Sequence, residues 1–147
     1  MRVSLRDSTS EDFEFVFNLN KTNMHKYVEA TRAWDDETEH KDMKGKFTPG
    51  IDKIIQAEGK DIGVFRVIEE NRGLTIDHIE LLPQFQNKGI GSRLIKDLIT
   101  QNLDKDIALK VLKENPAKEL YKKLGFSVVG EDKRKYCMNL PARISEQ

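Results

Sequence analysis

A glycine-containing turn between an extended apolar run and a helical run constrains this chain more than any other feature. The turn is Gln86-Asn87-Lys88-Gly89-Ile90-Gly91; it follows the apolar run 76–82 and precedes an amphipathic run that begins at about Ile90. A strand-to-helix junction of this kind leaves backbone N–H groups unpaired at the helix N-terminus, where the helix dipole is positive. Such a cradle of donors binds phosphate. The turn therefore predicts a ligand that carries a diphosphate.

Two common nucleotide-binding motifs do not fit this turn. A P-loop requires G-x-x-x-x-G-K-[ST], and the chain contains no such string. A dinucleotide fingerprint requires G-x-G-x-x-G, and the segment 89–94 lacks the third glycine. A lone G-x-G also occurs in ordinary turns, so the turn alone leaves open a purely structural glycine packed against a strand.

Length and charge limit the classes of function. The 147 residues are enough for one domain with a sizeable core, and we expect a single domain over residues 1–147. Lys plus Arg and Asp plus Glu both number 25, so the zero net charge argues against nucleic-acid or membrane partners. The start carries no apolar signal segment, and we expect a cytoplasmic protein.

Cysteine and histidine usage predicts neither a disulfide nor a metal site. Cys137 is the only cysteine, so it has no partner within the chain. His25, His40 and His78 are scattered along the chain without the spacing of metal ligands.

Hydrophobic periodicity predicts a mixed sheet with helices packed on it, in the α/β or α+β class. The N-terminal part is expected to contain a strand at 3–6 and helices at 9–21, 23–32 and 36–46, with Ser8 as the first N-cap. Strands at 51–58, 61–69 and 74–82 are expected to form an antiparallel meander. A helix from 90, a strand at 107–111, a helix between Asn115 as N-cap and Gly125, and strands at 126–129 and 136–140 follow.

Two strings in this chain resemble the signatures of one family. The string Leu82-Pro83-Gln84-Phe85-Gln86-Asn87-Lys88-Gly89-Ile90-Gly91 resembles the acyl-CoA-binding motif [Q/R]-x-x-G-x-[G/A] of the GCN5-related N-acetyltransferases (GNAT). The string Asn115-Pro116-Ala117-Lys118-Glu119-Leu120-Tyr121-Lys122-Lys123-Leu124-Gly125-Phe126 resembles the second signature of that family, which ends in L-Y-x-x-x-G-F. The resemblance extends over residues 51–140 and covers the first 50 residues only in outline.

The resemblance implies a GNAT acyl-CoA N-acyltransferase fold, with a mostly antiparallel sheet, splayed parallel strands and flanking helices. It also implies transfer of an acetyl group from acetyl-CoA to an amine by direct attack. The resemblance places the CoA pyrophosphate on the backbone of the turn and the residue after it, namely Gln86, Asn87, Lys88, Gly89, Ile90, Gly91 and Ser92.

The resemblance also assigns the rest of the CoA site. The backbone of Leu81 and Leu82 would pair with the pantetheine arm, and the Leu81 N–H would polarise the thioester carbonyl. Asn115 would hydrogen-bond the same arm, and Tyr121 would protonate the leaving thiolate. From the residues alone, Tyr121 can equally be a core aromatic and Asn115 a helix cap.

The attacking amine must lose a proton, and His78 and Glu80 are the candidates for the base. They alternate with Ile79 and Leu81 along one strand and therefore share one face. We expect Glu80 to be the better base, because its carboxylate also attracts a cationic acceptor. Some family members use a carboxylate on the next strand, but the matching position here is Lys110. A solvated strand face remains the alternative for both residues.

The amine acceptor is expected to contact the segment around the only tryptophan. Trp34, Asp35 and Glu29 could hold an ammonium group by cation–π attraction and ion pairing. The alternative is that Trp34 packs in the core while the acids solvate a helix.

Three functions remain open at this level. The first is acetylation of a small cationic amine, with acetyl-CoA as co-substrate and no metal. The second is acetylation of a protein N-terminus or lysine, and the third is a non-catalytic acyl-CoA-binding module. A homodimer is possible, as in similar proteins.

Overall fold

A seven-stranded sheet and four α-helices make up the described part of the chain. The computed structural model describes residues 1–31 and 34–144, and for residues 25–31 it describes the backbone. The strands are β1 (Val3–Asp7), β2 (Asp52–Ala57), β3 (Lys60–Glu70), β4 (Gly73–Leu81), β5 (Asp106–Leu112), β6 (Ser127–Glu131) and β7 (Lys135–Leu140). The helices are α1 (Phe13–Thr31), α2 (Asp36–Lys46), α3 (Ile90–Gln101) and α4 (Ala117–Lys123), with 3-10 turns at Ser10–Asp12 and Pro83–Phe85.

The strand order in the sheet is β1-β2-β3-β4-β5-β7-β6. The pairs β1/β2, β2/β3, β5/β7 and β6/β7 are antiparallel, whereas β4 and β5 are parallel. The β4/β5 ladder runs from Gly73↔Asp106 to Ile76↔Leu109. The predicted mixed, mostly antiparallel sheet with flanking helices is confirmed.

The chain forms two compact units. The first consists of Met1–Arg66 and His78–Lys88, and the second of Val67–Asp77 and the chain from Gly89 onward. Strands β3 and β4 contribute residues to both units. The single domain expected from length stays a prediction. Among the described residues, no helix has the length and apolar character needed to span a membrane.

The core of the first unit forms where α1 packs on β2 and β3. Val16 and Leu19 of α1 are buried against Ile54 and Val64, and half-buried side chains surround this cluster. The apolar stripe of α1 has the i, i+3 spacing that places side chains on one helix face. This packing fixes α1 across the strand face that carries Ile54 and Val64.

The first helical turn begins one residue later than the sequence predicts. Thr9, not Ser8, is the N-cap, and it forms a capping box with Asp12, whose carboxylate accepts from the Thr9 N–H at 2.8 Å. Ser8 is buried, and its carbonyl and hydroxyl oxygens both accept from the Gly50 N–H, at 3.1 and 3.2 Å. The expected cap was wrong because Ser8 instead ties β1 to the turn before β2.

The predicted helices 9–21 and 23–32 are one continuous helix, α1. The polar run around Lys21 and Thr22 looked like a helix end, but it contains neither Gly nor Pro. The Thr22 hydroxyl donates a hydrogen bond to the Asn18 carbonyl, one turn earlier in the helix, at 2.9 Å. The helix therefore continues, whereas α2 begins and ends where the sequence predicts, with Asp35 as its N-cap.

The second unit contains α3, α4 and the strands β5 to β7. Ile90, Leu94 and Ile95 are the buried residues of α3. Helix α4 ends in a Schellman arrangement, in which Phe126 N–H donates to the Tyr121 carbonyl and Gly125, at φ 107°, donates to Lys122. Gly125 thus ends the helix as predicted.

The start of α4 differs from the prediction. The N-cap position belongs to Pro116, which offers no side-chain hydrogen bond. The Asn115 side chain nevertheless accepts from the Ala117 N–H at 2.9 Å. It thus pairs a first-turn donor of the helix from the position before the N-cap.

Candidate active site

Glu80 lies near the end of β4 in the first unit, with its side chain facing α1. Its carboxyl Oε1 accepts from Asn20 Nδ2 at 2.9 Å, and its Oε2 accepts from Asn23 Nδ2 at 3.0 Å. His78 Nε2 contacts Oε1 as well. Only 10% of the Glu80 side chain is exposed, so the strand face at this position is not a solvated one.

Two opposing effects act on the pKa of Glu80. Burial is the larger single effect and raises the pKa, because it disfavours the charged form. The hydrogen bond and charge of His78, together with the amides of Asn20 and Asn23, favour the charged form and lower the pKa below its ordinary value. Glu80 is therefore an ionised carboxylate at neutral pH.

His78 and Glu80 come together as the strand alternation predicts. The two residues share one face of β4, and the His78 side chain is 36% exposed, against 10% for Glu80. The pair thus has an outer imidazole and an inner carboxylate. This arrangement suits proton transfer at the imidazole, because a carboxylate partner stabilises the imidazolium.

A ring of amide hydrogen bonds joins Asn23, Leu81 and Gln86. Asn23 Nδ2 and Gln86 Nε2 each donate to the Leu81 carbonyl at 2.9 Å. Gln86 Nε2 also donates to Asn23 Oδ1 at 3.1 Å. The side chain of the first residue of the glycine turn is thus tied to α1 and β4.

The sequence analysis missed Asn20 and Asn23. The apolar stripe of α1 continues by its spacing from Val16 and Phe17 to position 20, where an amide replaces the expected apolar residue. A polar residue on a core-facing stripe needs a buried hydrogen-bond partner. That signal could have indicated a polar partner for α1, although not which strand supplies it.

At the end of β4, the backbone groups of consecutive residues face opposite sides of the strand. The Leu82 N–H donates to the Ile62 carbonyl at 2.8 Å, which places this group against β3. Gly63 also faces this part of β4: a Cβ there would stand 2.2 Å from the Glu80 carbonyl oxygen. Because polar groups alternate sides along a strand, those of Leu81 point away from β3. Two residues were expected to contact a pantetheine arm. Leu81 directs its N–H to the side of β4 opposite to β3, whereas the Leu82 N–H is used by β3.

The glycine turn bends at two residues with positive φ. Asn87 and Gly89 adopt left-handed conformations, with φ of 60° and 80°. Gly89 is the N-cap of α3 and provides no capping side chain, and open space surrounds the position of its missing Cβ. Lys88 is exposed, whereas Ile90 anchors the helix start in the core.

The first turn of α3 therefore begins with uncapped N–H groups, as a phosphate-binding helix start requires. Gly91 and Ser92 lie in this turn, which the Arg93 N–H closes by donating to the Gly89 carbonyl at 3.0 Å.

Tyr121 lies on α4 in the second unit. Its ring is half-buried and meets Phe126 edge-on at a centroid distance of 6.1 Å. Burial raises the pKa of the Tyr121 phenol above its ordinary value, so the group is protonated at neutral pH. Asn115, the other predicted CoA contact on this segment, uses its Oδ1 for Ala117 at the start of the same helix.

Two of the predicted acceptor residues, Trp34 and Asp35, have intramolecular contacts. Trp34 is half-buried, with its ring 6.3 Å from that of Phe17 and its Nε1 donating to Asp36. Asp35 is exposed and caps α2, accepting from Thr38 Oγ1 at 2.6 Å, a contact that is the main cause of its lowered pKa. The side chain of Glu29 lies outside the described residues.

Comparison with known proteins identifies the family. A family model described as an acetyltransferase (GNAT) domain matches residues 11–139. The spermidine N(1)-acetyltransferase of Escherichia coli (strain K12) is 28% identical over 155 residues, which cover 93% of this chain and 79% of that protein.

Solved structures share the fold. The PaiA N-acetyltransferase of Thermoplasma acidophilum, in complex with coenzyme A, has a TM-score of 0.74 at 17% identity, covering 96% of this chain and 99% of that one. The spermidine N-acetyltransferase of Vibrio cholerae, in complex with CoA and spermine, has a TM-score of 0.70 at 24% identity, covering 95% of each chain. The resemblance seen in the two sequence motifs is thus confirmed, and the chain belongs to the GNAT family of acetyltransferases.

Proposed function

We propose that this protein transfers the acetyl group of acetyl-CoA to a primary amine of a small polycation, with spermidine and spermine as the first acceptors to test. The observation that carries this proposal is the ionised, buried Glu80 carboxylate beside the more exposed His78. A negative group at the inner end of a site attracts an ammonium, and an imidazole beside it can accept a proton. The relatives named for spermidine acetylation support the same class of acceptor.

The geometry favours His78 as the proton acceptor and Glu80 as its partner, rather than Glu80 alone. Glu80 already accepts from Asn20 and Asn23, and its lowered pKa makes it a weak base. When neutral, a His78 ring that donates from Nε2 to this carboxylate carries its lone pair on Nδ1. The ammonium then loses its proton to His78, and Glu80 stabilises the resulting imidazolium.

The neutral amine attacks the thioester carbonyl carbon, and the carbon–sulfur bond breaks as the amide forms. In this proposal the Leu81 N–H stabilises the developing oxyanion. Tyr121 gives its proton to the leaving thiolate, and the nitrogen loses a second proton as the amide forms, which restores the Tyr121 phenol by way of solvent. The net products are the amide, the CoA thiol and one proton, which His78 took from the ammonium and releases to solvent. The backbone from Gln86 to Ser92 holds the CoA pyrophosphate, and Asn115 contacts the pantetheine arm.

The second ammonium of a polyamine would lie near Trp34 and Asp35. Trp34 supplies an aromatic ring and Asp35 an exposed carboxylate, two groups suited to a cation. Glu29 is the third residue proposed for this acceptor contact.

The test is CoA release measured with a thiol reagent, using spermidine, spermine, a lysine peptide and a free N-terminal peptide as acceptors. We expect turnover with the polyamines, and a loss of kcat of about 10²–10⁴-fold at pH 7 in His78→Asn, the range for removing a general base. The loss should shrink as the pH approaches the pKa of the amine, because the acceptor then arrives already deprotonated.

Glu80→Gln should retain part of the activity and lose the preference for polycations over monoamines. Turnover confined to the peptides would identify a protein acceptor instead. Acetyl-CoA binding without turnover on any amine would indicate a binding module, and either outcome would overturn the proposal.

A further inference from the structure

Asn23, a half-buried residue of α1, forms hydrogen bonds both to the end of β4 and to the first residue of the glycine turn. Its Nδ2 donates to Glu80 Oε2 at 3.0 Å and to the Leu81 carbonyl at 2.9 Å. Its Oδ1 accepts from Gln86 Nε2 at 3.1 Å. Both N–H donors and the carbonyl of one amide are therefore used, each for a different part of the site.

Only a short amide meets these three demands. A carboxylate at this position would accept from Gln86 but would face the Glu80 carboxylate and the Leu81 carbonyl without a donor. An alanine would leave the Glu80 oxygen and the Gln86 amide each short of a partner. Gln86 closes the ring through its own 2.9 Å hydrogen bond to the Leu81 carbonyl, which thus accepts from both side chains.

We propose that Asn23 is a positioning residue, which holds the acceptor-side carboxylate of Glu80 and the first residue of the CoA-binding turn in one fixed arrangement. The inference rests on the proposed function, because it assigns acceptor chemistry to Glu80 and CoA binding to the turn. It follows that a change at Asn23 alters the affinity for acetyl-CoA as well as the reaction of the amine, although Asn23 itself touches neither reacting atom.

Asn20 is the matched control within the same helix. It lies one turn away from Asn23 and donates to the other oxygen of the same carboxylate, at 2.9 Å. Its side chain has no described hydrogen bond to Gln86 or to Leu81. Asn20→Ala should therefore disturb the acceptor side only.

The experiment compares the single variants Asn23→Ala, Asn20→Ala and Gln86→Ala with the two double variants that combine each asparagine change with Gln86→Ala. Acetyl-CoA affinity is measured by calorimetric titration without acceptor, and kcat and KM for spermidine are measured by CoA release. We expect both asparagine variants to lower kcat/KM for spermidine. Only Asn23→Ala should raise the Kd of acetyl-CoA, by about fivefold, as the loss of one average hydrogen bond gives.

The double variants test whether Asn23 and Gln86 act as one unit. Asn23→Ala and Gln86→Ala should be less than additive in their effect on the Kd, because each removes the same hydrogen bond. Asn20→Ala and Gln86→Ala should add. A merely structural role would lower the folded fraction and leave the Kd of the folded protein unchanged.

An unchanged acetyl-CoA Kd in Asn23→Ala, or full additivity with Gln86→Ala, would overturn the inference. If Asn23→Ala does not fold, Asn23→Leu, which has a similar size and no hydrogen-bonding group, must give the same rise in Kd. If the unsubstituted protein binds acetyl-CoA but acetylates no polyamine, the proposed acceptor fails, while the affinity comparison still decides the role of Asn23.

Discussion

At the scale of single residues, the hydroxyl of Tyr121 decides whether this side chain has a catalytic role or only a packing role. Its ring meets Phe126 and its phenol is protonated at neutral pH, because burial raises the pKa. Both a core aromatic and a general acid would place the ring here. The two roles differ only in what the oxygen does.

Tyr121→Phe removes the oxygen and keeps the ring. We expect kcat to fall by about 10²-fold or more, the lower end for loss of a general acid, with the acetyl-CoA Kd nearly unchanged. Steady-state CoA release and a calorimetric titration measure the two quantities. The loss should be smaller with an acetyl thioester whose thiol is more acidic, because that thiolate leaves without a proton. An unaltered kcat would return Tyr121 to a packing role.

At the scale of elements, the contact between β3 and the end of β4 depends on Gly63. A Cβ on Gly63 would stand 2.2 Å from the Glu80 carbonyl oxygen and 2.9 Å from Leu81 Cδ2. The obstacle is largely backbone, which cannot rotate away as a side-chain end can. The two strands therefore approach closely at the position where the site residues sit.

Gly63→Ala should push the end of β4 away from β3 and lower the free energy of unfolding by about 1–3 kcal/mol. Urea unfolding measures this, and acetyl transfer should fall with it because Glu80 and Leu81 shift. Gly45→Ala is the control: Gly45 lies in α2 with nothing within 4 Å of its missing Cβ, so alanine there should be neutral or stabilising. Equal stability of the two variants would contradict the close approach.

The elements differ in how far the sequence could predict them. Local patterns were sufficient for the alternation that pairs His78 with Glu80, for the turn before the helix that begins at Ile90 and for the stop at Gly125. They were insufficient for the length of α1. Its Asn20 and Asn23 are held by Glu80, 60 and 57 residues later in the chain, and no local pattern predicts such a partner.

The stability of the molecule at low pH depends on an arginine network that joins three parts of the first unit. Arg6 on β1 pairs with Asp12 at 2.7 Å and with Asp61 on β3 at 2.9 Å. Hydrogen bonding to Arg6 is the main cause of the lowered pKa of both carboxylates. A carboxylate with a lowered pKa in the folded state contributes stability above its unfolded pKa, and that contribution is lost as the pH falls through the folded value.

The unfolding free energy should therefore be steady near neutral pH and fall once the pH drops below about 4, the ordinary pKa of an aspartate. Arg6→Met should be less stable than the unsubstituted protein at pH 7 and should lose less on acidification, because Asp12 and Asp61 return towards ordinary pKa values. Urea unfolding at pH 7, 4 and 3 measures both slopes. Parallel curves would mean that Arg6 contributes only through packing.

The amides that hold Glu80 and Gln86 in place have one more consequence. Asn20, Asn23 and Gln86 are uncharged, so added salt, which screens attraction between ions, leaves their hydrogen bonds nearly untouched. Capture of a polycation by Glu80 and Asp35 is, by contrast, an attraction between charges. High ionic strength should therefore weaken binding of the amine, while the hydrogen bonds that position Glu80 and Gln86 stay intact.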